Sequence, residues 1–227
     1  MITVATATVF FLLLTSLQVR SNNTVDLVLV LALDISASVD DQEFDLQRRG
    51  LASAITHPSV IEAIRNGREK RIGVAAVQWS GEHQQFVSVP WQIIDGAGSA
   101  EKFAGRLLGM QRRSADGFTH IAGAISFSAQ LLQSARFTAG RHVIDISGDG
   151  TNNVRPHPPM ARDAAVRAGI TINGLTIINE AKDLDAYYRD TVIGGPGAFV
   201  IVAQDYEDYA RAMVRKLVRE INARFLS

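Results

Sequence analysis

The sequence predicts a doubly wound α/β domain: a mostly parallel central sheet with one antiparallel edge strand and helices on both faces. Three observations carry this expectation. Short apolar runs alternate with longer amphipathic ones from Val25 to the end of the chain, the rhythm of strands and helices in a layered domain. The run Asp26 to Leu33 (DLVLVLAL) is nearly all apolar, as required of a central strand buried on both faces. The link from Ser80 to Gln84 is too short for a parallel crossover, so the runs beside it pair as an antiparallel hairpin at a sheet edge.

Taken in order, Asp26 to Leu33 is the first strand. Asp40 to about Arg65 reads as one helix with acidic residues in its first turn, ended by Asn66-Gly67. Arg71 to Trp79 is the second strand and Gln85 to Val89 a short third, stopped by Pro90. Helices follow over Ser99 to about Met110, with a serine cap, and over Thr119 to Ser134, entered through Asp116-Gly117-Phe118. His142 to Ser147 is a strand, Pro159 to Ala168 a helix closed by Gly169, and Ile170 to Ile177 the next strand. A short helix over Leu184 to Asp190, a last strand over Ala198 to Val202 and a closing helix from Asp205 to about Ala223 complete the series. On that closing helix Tyr209, Met213, Leu217 and Ile221 recur on one face, while Arg211, Arg215, Lys216 and Arg219 read as a solvated cationic face, with a basic partner surface as the alternative.

The 227 residues are 47% hydrophobic, enough for one substantial core, so residues 24–227 form one domain. Met1 to about Asn23 contains an apolar run from Val4 to Leu17, shorter than the roughly 20 residues a membrane span requires. It reads as a secretory signal or an N-terminal anchor, placing the protein outside the cytoplasm, in the periplasm or cell envelope, with membrane contact only through that segment if it is uncleaved. The 23 basic and 23 acidic residues cancel, leaving no field that would draw nucleic acid or an anionic membrane. The absence of cysteine excludes disulfides, thiolate metal sites and a cysteine nucleophile.

The most informative residues are Asp34-Ile-Ser36-Ala-Ser38, where the first buried strand gives way to the first helix. Beyond the carboxyl ends of strands in an open parallel sheet lies the crevice where ligands bind. One carboxylate and two hydroxyls at alternate positions can curl around a small hard cation, since Mg2+ takes oxygen ligands and keeps several waters. Gly148-Asp149-Gly150 brings a second carboxylate to a neighbouring strand end. Thr119, at the head of a helix, can either reach the cation or cap the helix. Asp145 lies inside a strand, where a carboxylate needs a partner; it either orients the metal loop or makes a structural bond. Asn152 and Asn153 can steady the loop after Asp149. Gly194-Gly-Pro-Gly197 reads as a tight connection into the last strand, Trp79 and Trp91 as edge packing, and His83, His120 and His157 as isolated residues.

Together, Asp34-x-Ser36-x-Ser38, Thr119 and Asp149-Gly150 resemble the metal-ion-dependent adhesion site of von Willebrand factor type A domains, over essentially the whole chain from Asp26. The resemblance implies a divalent cation, usually Mg2+ with Mn2+ or Ca2+ as substitutes, held by those five residues. It implies a protein partner whose carboxylate completes the coordination. The stretches LALDISASVD, VQWSG with VPW, IDISGDGTNN, and Tyr187-Tyr188-Arg189-Asp190 through Val192-Ile-Gly-Gly-Pro-Gly-Ala-Phe199 resemble more closely a bacterial family of such domains, mostly exported, which supplies no reaction or partner. The alternative is a phosphohydrolase of the haloacid dehalogenase type. That chemistry needs an acid/base aspartate two residues after the first; here the position is Ser36, and losing that group removes a factor of about 10² to 10⁴. The sequence therefore reads as a binding module and not an enzyme.

Overall fold

A computed structural model of the chain describes residues 23–113, 117–178 and 181–223. The N-terminal apolar segment, except Asn23, and Asp116 lie outside the described residues. The elements are β1 (Thr24–Val25), β2 (Leu27–Asp34), α1 (Asp41–Ile55), α2 (Pro58–Arg65), β3 (Ile72–Trp79), β4 (Gln85–Ile94), α3 (Ala97–Leu108), α4 (Ile121–Gln133), β5 (Thr138–Ala139), β6 (His142–Gly148), α5 (Pro158–Arg167), β7 (Ile170–Ile177), α6 (Leu184–Tyr187), a π-helical turn over Tyr188–Val192, β8 (Val200–Ala203) and α7 (Tyr209–Asn222).

The main sheet has the order β4-β3-β2-β6-β7-β8, parallel throughout except for the β3–β4 pair at one edge. This is the predicted architecture. A two-stranded parallel ribbon of β1 and β5 is an addition the sequence did not announce. β2 is buried along its whole length, and its side chains alternate between two cores. Leu27, Leu29, Leu31 and Leu33 pack under α1, α2, α3 and α7, with Phe44, Leu51, Phe103 and Leu217. Val28, Val30 and Ala32 face α4, α5 and the α6 region, with Ile125, Ile146 and Tyr188.

Several boundaries differ from the sequence reading, each for a local reason. The first helix is two. His57 is extended and Pro58 opens α2, because the residue before a proline is pushed out of the helical region. Asp40 is the N-cap of α1 and not its first residue: its carboxylate accepts from the Glu43 amide while Glu43 accepts from the Asp40 amide, both at 2.8 Å. β4 continues past Pro90 to Ile94, since an edge strand can place a proline on its unpaired side, and the ladder slips opposite Val74 and Ala76 to accommodate it. α3 begins before Ser99, whose hydroxyl instead accepts from the Asp95 and Gly96 amides. The short helix after β7 ends in the π-helical turn, and β8 begins at Val200. Gly195 and Gly197, with φ of 92° and 69°, make the tight lead into it. Among the described residues, no helix is long and apolar enough to cross a membrane.

The chain leaves β2 for β3 on one side and later returns to β6 on the other. The strand order therefore reverses between β2 and β6, and the crevice outside their carboxyl ends receives Asp34 and Asp149.

Candidate metal centre

Asp34 closes β2 and is wholly buried. The Ser36 amide donates to its Oδ1 at 2.8 Å, and Gln47 of α1 donates to its backbone carbonyl at 3.1 Å. Asp34 Oδ2 is buried and has no hydrogen-bond donor. Ser36 Oγ and Ser38 Oγ lie 3.3 Å apart, and the Ser38 hydroxyl donates to Asp149 Oδ1 at 2.7 Å. A serine hydroxyl that gives its proton to a carboxylate still has oxygen lone pairs to offer a cation. The structure thus joins Asp34, Ser36, Ser38 and Asp149 in one chain of contacts.

Thr119 is buried beside this group, its Oγ1 3.8 Å from where a Cβ on Gly150 would stand. The helix-capping role open to Thr119 is not the one it fills. α4 starts at Ile121 with His120 as an N-cap that makes no side-chain bond, and Asn152 Oδ1 accepts from the Ala122 amide at 3.3 Å. Asn153 ties the two loops together: its Oδ1 accepts from the Thr119 amide at 2.8 Å, and its own amide donates to the Thr119 carbonyl at 3.0 Å. The two asparagines thus link the loop after Asp149 to the Thr119–Ala122 segment.

Asp145 is placed differently. On β6 it faces the α7 layer, and its Oδ1 lies 2.7 Å from Lys216 Nζ. This ion pair ties Asp145 to a helix and not to the loop around Asp149. Lys216 in turn corrects the reading of α7: its side chain is fully buried, not part of a solvated cationic face.

Four residues at this site escaped the sequence reading. The Tyr206 hydroxyl donates to Asp149 Oδ2 at 3.0 Å, and the Tyr187 hydroxyl accepts from the Asn152 amide at 3.2 Å. Tyr188, wholly buried, points its hydroxyl at the same spot as Asp34 Oδ2: a Cβ on Gly148 would stand 2.7 Å from the first and 2.9 Å from the second. Only a glycine leaves that space open. Arg112 closes over the Asp34–Ser38 turn, donating to the carbonyls of Ile35 (3.2 Å), Ser36 (3.3 Å) and Val39 (2.5 Å), and to Asp41 Oδ1 (3.2 Å). Tyr187 and Tyr188 lie in the stretch that resembles the bacterial family; Tyr206 and Arg112 carry no spacing signal.

Burial, and after it the nearby Asp149 charge, pushes the Asp34 carboxyl up to about 7. Burial and the same two carboxylates hold Tyr188 and Tyr206 far above the usual phenol range, so both remain neutral. Two buried carboxylates brought close, one oxygen lacking any donor, with hydroxyls in place of a third acidic or imidazole group, suit a hard divalent cation.

The fold is that of von Willebrand factor type A domains. The chain belongs to the family described as proteins of unknown function (DUF1194), whose pattern spans residues 24–225. Among curated protein sequences none matches. Solved structures with the same fold include proximal thread matrix protein 1 of the mussel byssus, at 12% identity and a TM-score of 0.63 over 88% of this chain and 47% of that one. The same protein is also solved with a zinc-occupied MIDAS motif. The von Willebrand factor domain of the type V pili tip protein Mfa5 from Porphyromonas gingivalis matches at 12% identity and 0.61 over 88% and 96%; a von Willebrand factor type A protein from Catenulispora acidiphila matches at 16% and 0.57 over 87% and 43%. The chain spans about half the length of the byssus protein.

Proposed function

We propose that this domain holds one divalent cation, foremost Mg2+, among Asp34, Ser36, Ser38, Thr119 and Asp149, and uses it to grip an acidic group of a protein partner. The observation that carries this is Asp34 Oδ2, an acceptor buried without a donor beside a second carboxylate. Such an arrangement is costly without a cation, because a buried like-charged pair lacks compensation. When bound, the cation supplies a positive centre with an exchangeable position for an incoming carboxylate. The chain's own residues do the rest: Tyr206 fixes Asp149, Arg112 and Gln47 fix the turn that carries Ser36 and Ser38, and Asn153 fixes Thr119. A pilus adhesin, a pili tip protein and a byssus matrix protein among the structural neighbours agree with a binding role, and the byssus protein carries zinc in its own MIDAS motif.

The phosphohydrolase reading is not favoured. Ser36 occupies the acid/base position, and Asp34, which would be the nucleophile, has no exposed surface. We also propose that the domain works outside the cytoplasm, as the apolar N-terminal run suggests.

The test is capture of envelope proteins on the immobilised domain. Retention is expected in Mg2+, lost in chelator, restored when Mg2+ is returned, and lost when the applied proteins' carboxylates have been amidated. Capture indifferent to chelator or to amidation would overturn the proposal.

A further inference from the structure

A second polar cluster lies between the sheet and α7. Lys216 and Glu220 have no exposed surface and Asp145 has 1%. Lys216 Nζ is 2.7 Å from Asp145 Oδ1 and 3.6 Å from Glu220 Oε2, yet it is not aligned for a hydrogen bond with either Asp145 oxygen. Asn173 Nδ2 donates to both Glu220 carboxylate oxygens at 2.8 Å, and Arg141 approaches Glu220 Oε1 at 3.6 Å while donating to its backbone carbonyl at 2.7 Å. The Phe199 ring closes the other side, its centroid 5.1 Å from Nζ.

A buried ammonium facing a buried carboxylate bears a large desolvation cost, which attraction alone does not reliably recover. Moving one proton within the pair turns two ions into an amine and a carboxylic acid. The amine nitrogen is then held beside a carboxyl group in a dry site, where well-oriented neighbours react as if at about 10⁵ to 10⁸ M. We propose that Lys216 and Asp145 join through an amide formed by the protein itself, with Glu220 as the proton carrier.

The step balances without any oxidant or co-reactant. The Lys216 Nζ lone pair forms a bond to Asp145 Cγ, and one Nζ proton passes to Glu220. Glu220 returns that proton to the departing Asp145 hydroxyl as the C–O bond breaks. One water leaves, and Glu220 ends as it began. Burial also pushes the Asp145 carboxyl up, the direction that favours the neutral acid the step requires. Glu220 is suited to the carrier role because Asn173 and Arg141 hold its carboxylate 3.6 Å from Nζ. Asn173 is not the acceptor: its amide nitrogen is turned onto Glu220, and its oxygen accepts from the Phe199 amide at 2.9 Å. The bond would tie β6, whose end carries Asp149, to α7. In a chain without cysteine it supplies the kind of long-range staple that a disulfide gives elsewhere, independent of redox conditions.

Mass spectrometry of a tryptic digest of the purified full chain tests this. The expected product is one branched species joining the peptides that contain Asp145 and Lys216, lighter than their sum by one water, with no cleavage after Lys216. Separate linear peptides, cut after Lys216, would overturn the proposal and leave an ion pair. The unmodified chain decides this without reference to any variant. In Glu220→Gln the linear peptides are expected; a branched product there would overturn the role of Glu220.

Discussion

Replacing Asp34 by asparagine is expected to remove all Mg2+-dependent stabilisation while making the metal-free domain more stable at pH 8. The two effects share one cause. In the folded protein the Asp34 carboxyl titrates at about 7 instead of 3.8, because burial and Asp149 disfavour its charged form. A raised folded-state value means that the native state binds more protons than the unfolded chain between pH 3.8 and 7. The stability contribution of the group is therefore fully present below pH 3.8 and is lost as pH rises through 7. At roughly 1.4 kcal/mol per pKa unit, the penalty at pH 8 amounts to several kcal/mol. A cation screens it; asparagine avoids it. Thermal melting across pH, with and without Mg2+, reads both effects: between pH 4 and 7 the metal-free parent should lose more stability than the variant, which keeps the buried Asp145 but not the Asp34 carboxyl, and a ligand at about 100 times its Kd should add about 2.7 kcal/mol to the parent alone. A variant that still responds to Mg2+ would remove Asp34 from the site.

The second large effect is expected at Lys216. Lys216→Met leaves Asp145 and Glu220 buried without their lysine, and stripping one partner from a buried charged group costs about 3 to 5 kcal/mol. Urea unfolding measures this through the midpoint at unchanged slope. The double variant Lys216→Met with Asp145→Leu separates the two states of the pair. If the residues form only an ion pair, an apolar replacement of similar volume recovers most of the loss. If they are joined, the double variant stays well below the parent because the staple is gone. A loss under about 1 kcal/mol for Lys216→Met would contradict the burial of this cluster as a stabilising feature.

The parts of this fold that were legible in the sequence are those where one physical demand dominates. β2 declares itself because a strand covered on both faces must be apolar at every position, and Asp34 stands out as the first residue to break that run. The apolar face of α7 was equally plain, and Tyr209, Met213 and Leu217 are buried as their spacing requires. Where two demands compete, the pattern misleads. Pro90 reads as a strand end, but an edge strand needs no amide there, so β4 runs on. Lys216 reads as solvated, because a helical wheel shows charge but not the anion that waits across the interface. The signal lay elsewhere: Asp145 inside a buried strand demanded a partner, and Lys216 supplies it. Tyr188, Tyr206 and Arg112 were invisible for a related reason. Their roles depend on a hydroxyl or guanidinium arriving from distant elements, and no local spacing encodes that.

The central claim is that a divalent cation sits where Asp34, Ser36, Ser38, Thr119 and Asp149 converge. Anomalous diffraction from crystals grown with Mn2+ tests it most directly. A single strong peak is expected in the crevice between the ends of β2 and β6, within coordinating distance of the Ser36 and Ser38 hydroxyls and gone in crystals of Asp34→Asn. Ordered density for those side chains with no anomalous peak among them, at Mn2+ concentrations that saturate exchangeable sites, would contradict it.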